Sequence, residues 1–250
     1  MSLGPMQMKQ WIGAFKGWNK KRRRLRAFDK AQTWSQGLSL EATFEKIYAE
    51  SKWGLAPDAS KFFSGPGSQP EKSARYEAFV AGFLNDQSAM GSLVDIGCGD
   101  FQVANRIIKR LSRPIDYTGC DIARSVVEHN THSHGDRDVR FLQLDAVDAD
   151  SPPGDVVTIR EVLQHLNNSE IARVLERLPR LFKVAIISES LPVNFVTANV
   201  DIEHGISTRI PLGSGVYIDQ APFNMKVTKA IDSPFSEKSF LRTSIVWLAP

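Results

Sequence analysis

The chain has 250 residues, 42% hydrophobic and 24% charged, which fits one sizeable globular domain with decoration and excludes a disordered or fibrous chain. No apolar run approaches the roughly 20 residues that span a bilayer. The apolar residues near the start are interrupted by Lys, Asn and Arg, so no secretory signal is read and a cytoplasmic location is expected. Two cysteines, Cys98 and Cys120, are too few for a disulfide framework or a thiolate metal site; both fall at ends of predicted strands and read as small buried side chains. No metal cluster is evident, and metal-independent chemistry is expected. The net charge of +3 conceals an asymmetry: residues 1–30 hold nine Lys or Arg against the single acid Asp29, and the remaining 220 sum to −5.

In chain order, residues 1–35 read as a basic amphipathic extension and 36–250 as the main domain, with a core at 90–190 and an insertion at 190–222. Over 6–28 the spacing of Met8, Trp11, Ile12, Phe15 and Trp18 places them on one helical face, and Lys20, Lys21, Arg22, Arg23, Arg24 and Arg26 follow. Three readings stay open: packing on the domain or on a partner subunit, peripheral contact with an anionic inner-membrane surface, or contact with nucleic-acid phosphates. A helix is predicted over 40–51, a turn-rich loop at Ser64-Gly65-Pro66-Gly67-Ser68, and a helix over Glu71–Leu84. From Leu93 short apolar runs alternate with helical stretches. Strands are predicted at Leu93–Ile96, Asp116–Cys120, Val139–Leu144, Asp155–Ile159 and Val184–Ser188, and helices at Phe101–Leu111, Ala123–His132 and Ser169–Phe182. That alternation argues for an α/β fold, a doubly wound, mostly parallel sheet. Asn224–Ile231 and Phe240–Leu248 are expected to add a hairpin at its edge.

Chemistry concentrates where strands end. Leu93-Val94-Asp95-Ile96-Gly97-Cys98-Gly99-Asp100 is an apolar strand running into a glycine turn, where the backbone can approach a ligand closely. Asp121, in Gly119-Cys120-Asp121-Ile122, ends the second strand and can accept from both hydroxyls of a ribose. Asp145, before Ala146, ends the third and can accept from an adenine amine. Three adjacent strand ends thus line one crevice with acceptors for an adenosine. A nicotinamide dinucleotide fits less well: Gln102 stands where the dinucleotide fingerprint needs a small residue, and Asp95 and Asp100 flank the turn with negative charge. A sulfonium cofactor with a free ammonium suits those acids better.

With these residues in hand, the segment from about Leu93 to Ser188 resembles the class I S-adenosylmethionine-dependent methyltransferases. The resemblance is carried by Asp95–Asp100, Asp121, Asp145 and Asp155–Leu166. It implies a Rossmann-like, seven-stranded sheet with the last strand antiparallel. It also implies contacts of Gly97 and Gly99 with the methionine part, of Asp121 with the ribose and of Asp145 with the adenine; Asp95, Cys98, Ile122, Ala146 and Arg160 complete the expected cofactor set. A bacterial subgroup, often encoded near sugar and surface-polysaccharide genes, is similar over more of the chain: at Phe44-x-x-Ile47-Tyr48, Trp53-Gly54, Ser64–Ser68, Arg160–Leu166 and Asn199-Val200-Asp201-Ile202-x-x-Gly205. It implies a glycan or another small polar acceptor. The chain departs from it in a longer stretch, Gly213–Gln220, before Ala221-Pro222-Phe223.

On the acceptor side, the turn after the fourth strand carries Arg160, Glu161 and His165. His165, with an unperturbed pKa near 6.5, is the first candidate base, or else it packs the turn; Glu161 is the candidate that orients acceptor or cofactor. Arg160 has a second reading, a structural pair with Asp145. Gly65, Gly67 and Ser68 are expected to close over the cofactor from the other side. The long segment 190–222 is read as a lid presenting Asn199, Asp201, His204 and Arg209 to the acceptor. The expected activity is methyl transfer to oxygen or nitrogen of a small molecule. An RNA methyltransferase using the basic tail is disfavoured by the acidic body, and a non-catalytic binding protein of the same fold stays as a further alternative.

Overall fold

The computed structural model describes residues 22, 23, 25–56 and 62–248. Of the basic amphipathic helix expected over 6–28, residues 6–21 and 24 lie outside these residues. The chain is helical over 25–34 (α1), then forms α2 (Leu40–Ala49) and α3 (Pro70–Asp86). An α/β alternation follows: β1 (Ser92–Ile96), α4 (Gln102–Ile108), β2 (Asp116–Asp121), α5 (Arg124–His134), β3 (Val139–Gln143), β4 (Gly154–Arg160), α6 (Asn168–Leu181) and β5 (Phe182–Pro192). β6 (Lys229–Pro234) and β7 (Ser239–Trp247) close the chain.

The seven strands lie in the order β3-β2-β1-β4-β5-β7-β6. β1 to β5 pair in parallel, and β7 runs antiparallel between β5 and β6. The expected seven-stranded sheet and its terminal hairpin are therefore present. β6 begins at Lys229, later than expected, because residues 224–228 form an irregular approach on which Asn224 adopts a positive φ of 52°.

Both faces of the central strands are covered, which is why β1, β4 and β5 read as mostly apolar runs. Side chains alternate between two cores: Leu93, Val156, Val184 and Ile186 pack with Tyr76, Val80 and Leu84 of α3 and Ile107 of α4, while Val94, Val157, Ala185 and Ile187 pack under Ile171, Val174 and Leu178 of α6. α6 starts at a capping box: Glu170 N–H donates to Asn167 Oδ1 and Asn167 N–H to Glu170 Oε2, each at 2.9 Å. A third, smaller core joins Phe44 and Ile47 of α2 to Ala123 and Val126 at the head of α5. It sets α2 over the carboxyl ends of the strands.

α3 and α4 are tied by a buried acid. Glu77, 1% exposed, accepts from Arg106 Nε (2.8 Å), Arg110 Nη2 (3.1 Å) and Ser73 Oγ (2.6 Å), and Arg106 Nη2 donates on to Ser68 O (2.6 Å). Removing the acid takes the carboxylate from Arg106 and Arg110 and loosens the guanidinium that holds Ser68 O. Glu77→Ala should lower stability by roughly 2–4 kcal/mol, read as a lower urea midpoint at unchanged slope.

Candidate active site

A cavity of about 570 Å³ opens at the carboxyl ends of β1, β2 and β4, within the range of roughly 300–1,000 Å³ for small-molecule sites. This is the crevice where open α/β sheets take their ligands. Its floor is the glycine turn after β1. Gly97 and Gly99 sit at φ 74° and 53°; a Cβ on Gly97 would lie 2.2 Å from Val162 Cγ2, and one on Gly99 2.2 Å from Ser64 Oγ. Only glycine lets the turn meet both neighbours.

Asp121 bridges two turns. Its Oδ2 accepts from Gly99 N–H and its Oδ1 from Ala123 N–H, both at 3.0 Å. Burial pushes its pKa up to about 6, against the pull of those N–H groups. Asp95 is also pushed up to about 6 by burial, opposed by bonds from Thr158 Oγ1 (2.7 Å) and Tyr117 OH (3.1 Å). Asp145 lines the cavity at the end of β3, its Oδ1 accepting from Val147 N–H (2.9 Å); burial raises its pKa. Cys98, Ile122 and Ala146 line the same half, and both cysteines are free thiols.

The 64–68 loop closes the cavity opposite Asp121. Ser64 N–H donates to Asp100 Oδ2 (3.0 Å) and Asp100 N–H to Ser64 Oγ (2.7 Å), latching the loop onto the glycine turn. Gly65, Gly67 and Ser68 all line the cavity. A Cβ on Gly67 would lie 2.3 Å from Glu161 Oε2, so the missing side chain is what gives the carboxylate its place.

Glu161 occupies a left-handed turn (φ 56°) directly after β4. Its Oε1 accepts from Ser190 Oγ (2.5 Å) and Gln164 Nε2 (3.3 Å), and its Oε2 stands 3.8 Å from Arg160 Nη2. Arg160 therefore pairs with Glu161 and not with Asp145; it also donates to Gly67 O (2.8 Å) and stacks on Tyr76 at 5.2 Å. Its buried Nε has no hydrogen-bond partner among the described residues. His165 is buried at the cavity wall, with Nδ1 2.9 Å from Gly205 O and Trp53 and Phe44 packed on the ring. Burial lowers its pKa, favouring the neutral ring. If Nδ1 carries the proton given to Gly205 O, the lone pair is on Nε2.

The turn Leu163–His165 is gripped at both ends. Glu189 accepts from the N–H groups of Val162 (3.2 Å), Leu163 (2.9 Å) and Gln164 (3.1 Å). Arg209, 1% exposed, donates to the carbonyls of Gln164 (3.3 Å), Leu166 (2.8 Å) and Val200 (2.7 Å) and to Asn168 Oδ1 (3.0 Å). Burial, with the charge of Glu161 second, pushes the Glu189 carboxyl up to about 8.

These contacts correct the expected lid. Asn199, Asp201, His204 and Arg209 do not line the cavity; they hold the loop in place. Asn199 bonds to backbone atoms of Tyr217 and Ala221, Asp201 caps Asn168 N–H (2.8 Å), and His204 pairs with Glu170 (2.7 Å). The segment's cavity-facing residues are instead Ile206, Thr208, Ile210 and Pro211. Further lining residues missed by the sequence reading are Tyr48, Gln164, Ser190 and Lys238; Ser190 lay two residues past the predicted end of its strand. Among the described residues no group of three or more His, Cys, Asp or Glu could hold a metal, and no helix is long and apolar enough to cross a membrane.

Residues 94–184 match the family model described as a methyltransferase domain. The chain carries a methyltransferase domain. The sheet order around that stretch is the seven-stranded, mostly parallel arrangement with one antiparallel strand that the class I resemblance implies. Three solved structures share the fold. Human N-acetylserotonin methyltransferase in complex with S-adenosylmethionine has 13% identity and a TM-score of 0.53 over 93% of this chain and 66% of its own. The magnesium protoporphyrin IX methyltransferase of Synechocystis PCC 6803, with bound S-adenosylmethionine, has 14% identity and 0.52 over 84% of this chain and 99% of its own. The mitomycin 7-O-methyltransferase has 13% and 0.52 over 93% and 68%. No curated protein matches the chain in sequence.

The buried acids set a pH dependence. Asp95, Asp121 and Glu189 hold protons more tightly in the folded chain than in the unfolded one. Their contribution to stability is therefore full at low pH and lost as pH rises, from about 4 to 6 for the aspartates and up to about 8 for Glu189. The urea midpoint should be lower at about pH 8.5 than at 5.5, and Glu189→Gln should shrink that difference; an unchanged difference would count against the assignment.

Proposed function

We propose that this methyltransferase acts on oxygen or nitrogen of a small polar acceptor, a sugar or glycan-related molecule. The observation that carries the reading is the division of one cavity. Gly97, Gly99, Asp121 and Asp145 face one end, and Glu161, Ser190 and His165 stand beyond β4 at the other. The named acceptors of the three neighbours, magnesium protoporphyrin IX, mitomycin and N-acetylserotonin, are small molecules, in keeping with a cavity of this size.

The residues present fit the cofactor. Asp95, Asp100, Asp121, Asp145 and Glu161 line the cavity against Arg160 and Lys238, an excess of carboxylates that suits a sulfonium and an ammonium. Arg160, with its Nε lacking an acceptor, suits the cofactor's single carboxylate. Asp121 would hold the ribose, Asp145 the adenine, and the glycine turn the methionine part. When bound, S-adenosylmethionine supplies an electrophilic methyl group. This chain's share is to align the acceptor with it, exclude water and take the acceptor's proton. Glu161, fixed by Ser190 and Gln164, orients the acceptor hydroxyl or amine, and neutral His165 is the base. The basic segment 6–28 would rest on an anionic membrane surface.

Calorimetric titration with S-adenosylhomocysteine should show micromolar binding, with none for NADH as control. Asp121→Ala should weaken it at least about tenfold, roughly 1.4 kcal/mol; an unchanged Kd would refute the ribose assignment. In assays with a sugar-based acceptor panel, Glu161→Gln and His165→Ala should each lower kcat at least about tenfold while changing cofactor Kd less than about threefold. Equal loss of both properties would make the residue structural. Gly67→Ala, which displaces the Glu161 carboxylate, should behave as Glu161→Gln does.

A further inference from the structure

Beyond β4 the cavity lining includes apolar Ile210, Pro211 and Phe235 among the polar Thr208, Ser236 and Ser239. Exposed apolar side chains stand just outside it. Val193, Phe195 and Val196 are 57%, 52% and 72% exposed, half of the six large hydrophobic side chains exposed among the described residues. Backbone bonds tie this strip to the mouth. Val193 N–H donates to Lys238 O (2.9 Å), and Val196 N–H to Gly213 O (2.8 Å), directly after the Ile210–Leu212 turn. Phe195 is set edge-on against Tyr217 at 5.3 Å. Lys238 lines the same rim, exposed, and its ammonium has no partner among the described residues.

Exposed apolar side chains grouped beside a cavity mouth are a candidate binding surface. Three side chains are too few for a stable protein interface, which buries on the order of 1,000 Å² or more. A wholly polar acceptor would leave the strip without a use. Backbone bonds join the strip to residues at the cavity wall, and the Lys238 ammonium belongs to the same junction; both features match a ligand that is polar at one end, charged in the middle and apolar at the other.

We propose that the acceptor is an anionic amphiphile, with its methyl-accepting polar end inside beside Glu161 and Ser190, a phosphate or carboxylate at Lys238, and an apolar chain over Val193, Phe195 and Val196. The proposal rests on the methyl-transfer reading above. It is tested by titrating the protein, saturated with S-adenosylhomocysteine, with decyl phosphate below its micelle threshold, with inorganic phosphate and with decyl glucoside. Decyl phosphate should bind at least about tenfold more tightly than inorganic phosphate. The double variant Phe195→Ser/Val196→Ser, exposed positions where folding is little affected, should weaken decyl phosphate about tenfold and leave S-adenosylhomocysteine binding unchanged. Lys238→Ala should weaken decyl phosphate and spare decyl glucoside. Equal affinity for decyl phosphate and phosphate, or indifference to the variants, would overturn the proposal. So would binding to anionic phospholipid vesicles without binding of the monomeric amphiphile. Failure of the wild-type protein to bind S-adenosylhomocysteine is a separate result, seen before any amphiphile is added, and it strikes the methyl-transfer reading.

Discussion

At Gly97 the space a side chain would fill is taken by Val162 of the β4 turn, and at Gly99 by Ser64 of the amino-terminal loop. The arrangement of the cavity depends on this pair of close approaches. Through Val162 the glycine turn fixes where Glu161 and His165 begin; through Ser64 and its exchange of hydrogen bonds with Asp100 it fixes the roof. Asp121 joins the same turn to the head of α5. Three chain segments far apart in sequence thus converge on a few backbone atoms, where small displacements would be felt throughout the site.

The second organising feature is electrostatic. A short 3₁₀ turn has free N–H groups at one end and free carbonyls at the other. Around Leu163–His165 both sets are satisfied from within the protein, by Glu189 and by Arg209. Two buried side chains of opposite charge face each other across one turn, and burial shifts each toward its neutral form: Glu189 up to about 8, Arg209 down to about 10. The grip places Glu161 and His165 without either of them having to hold the backbone.

Most of the sheet was legible because both its faces are buried, and a run such as Leu93–Ile96 or Val184–Ser188 has no polar alternation to confuse it with an exposed strand. Glycines and acids at strand ends were legible because those residue types have few other reasons to recur there. The 190–222 segment differs from its sequence pattern for a physical reason. Polar side chains in a long loop suggest contacts with a ligand, whereas Asn199, Asp201 and Arg209 satisfy the loop's own backbone and that of its neighbours. Sequence spacing does not separate these uses. Glu189 and Ser190 were hidden differently: β5 continues to Pro192, and its last residues carry polar groups inward where the strand was expected to have ended.

The methyltransferase-domain match ends at residue 184, and the terminal hairpin lies wholly beyond it. Phe235, Ser236, Lys238 and Ser239, from the β6–β7 connection and the first residue of β7, still reach the cavity, because β7 lies beside β5 in the sheet. The outer end of the pocket thus draws on polypeptide beyond the matched stretch, which meets the glycine turn only in three dimensions. A change in the hairpin or in the loop before it can therefore reshape the outer pocket without touching the glycine turn or the acids beside it.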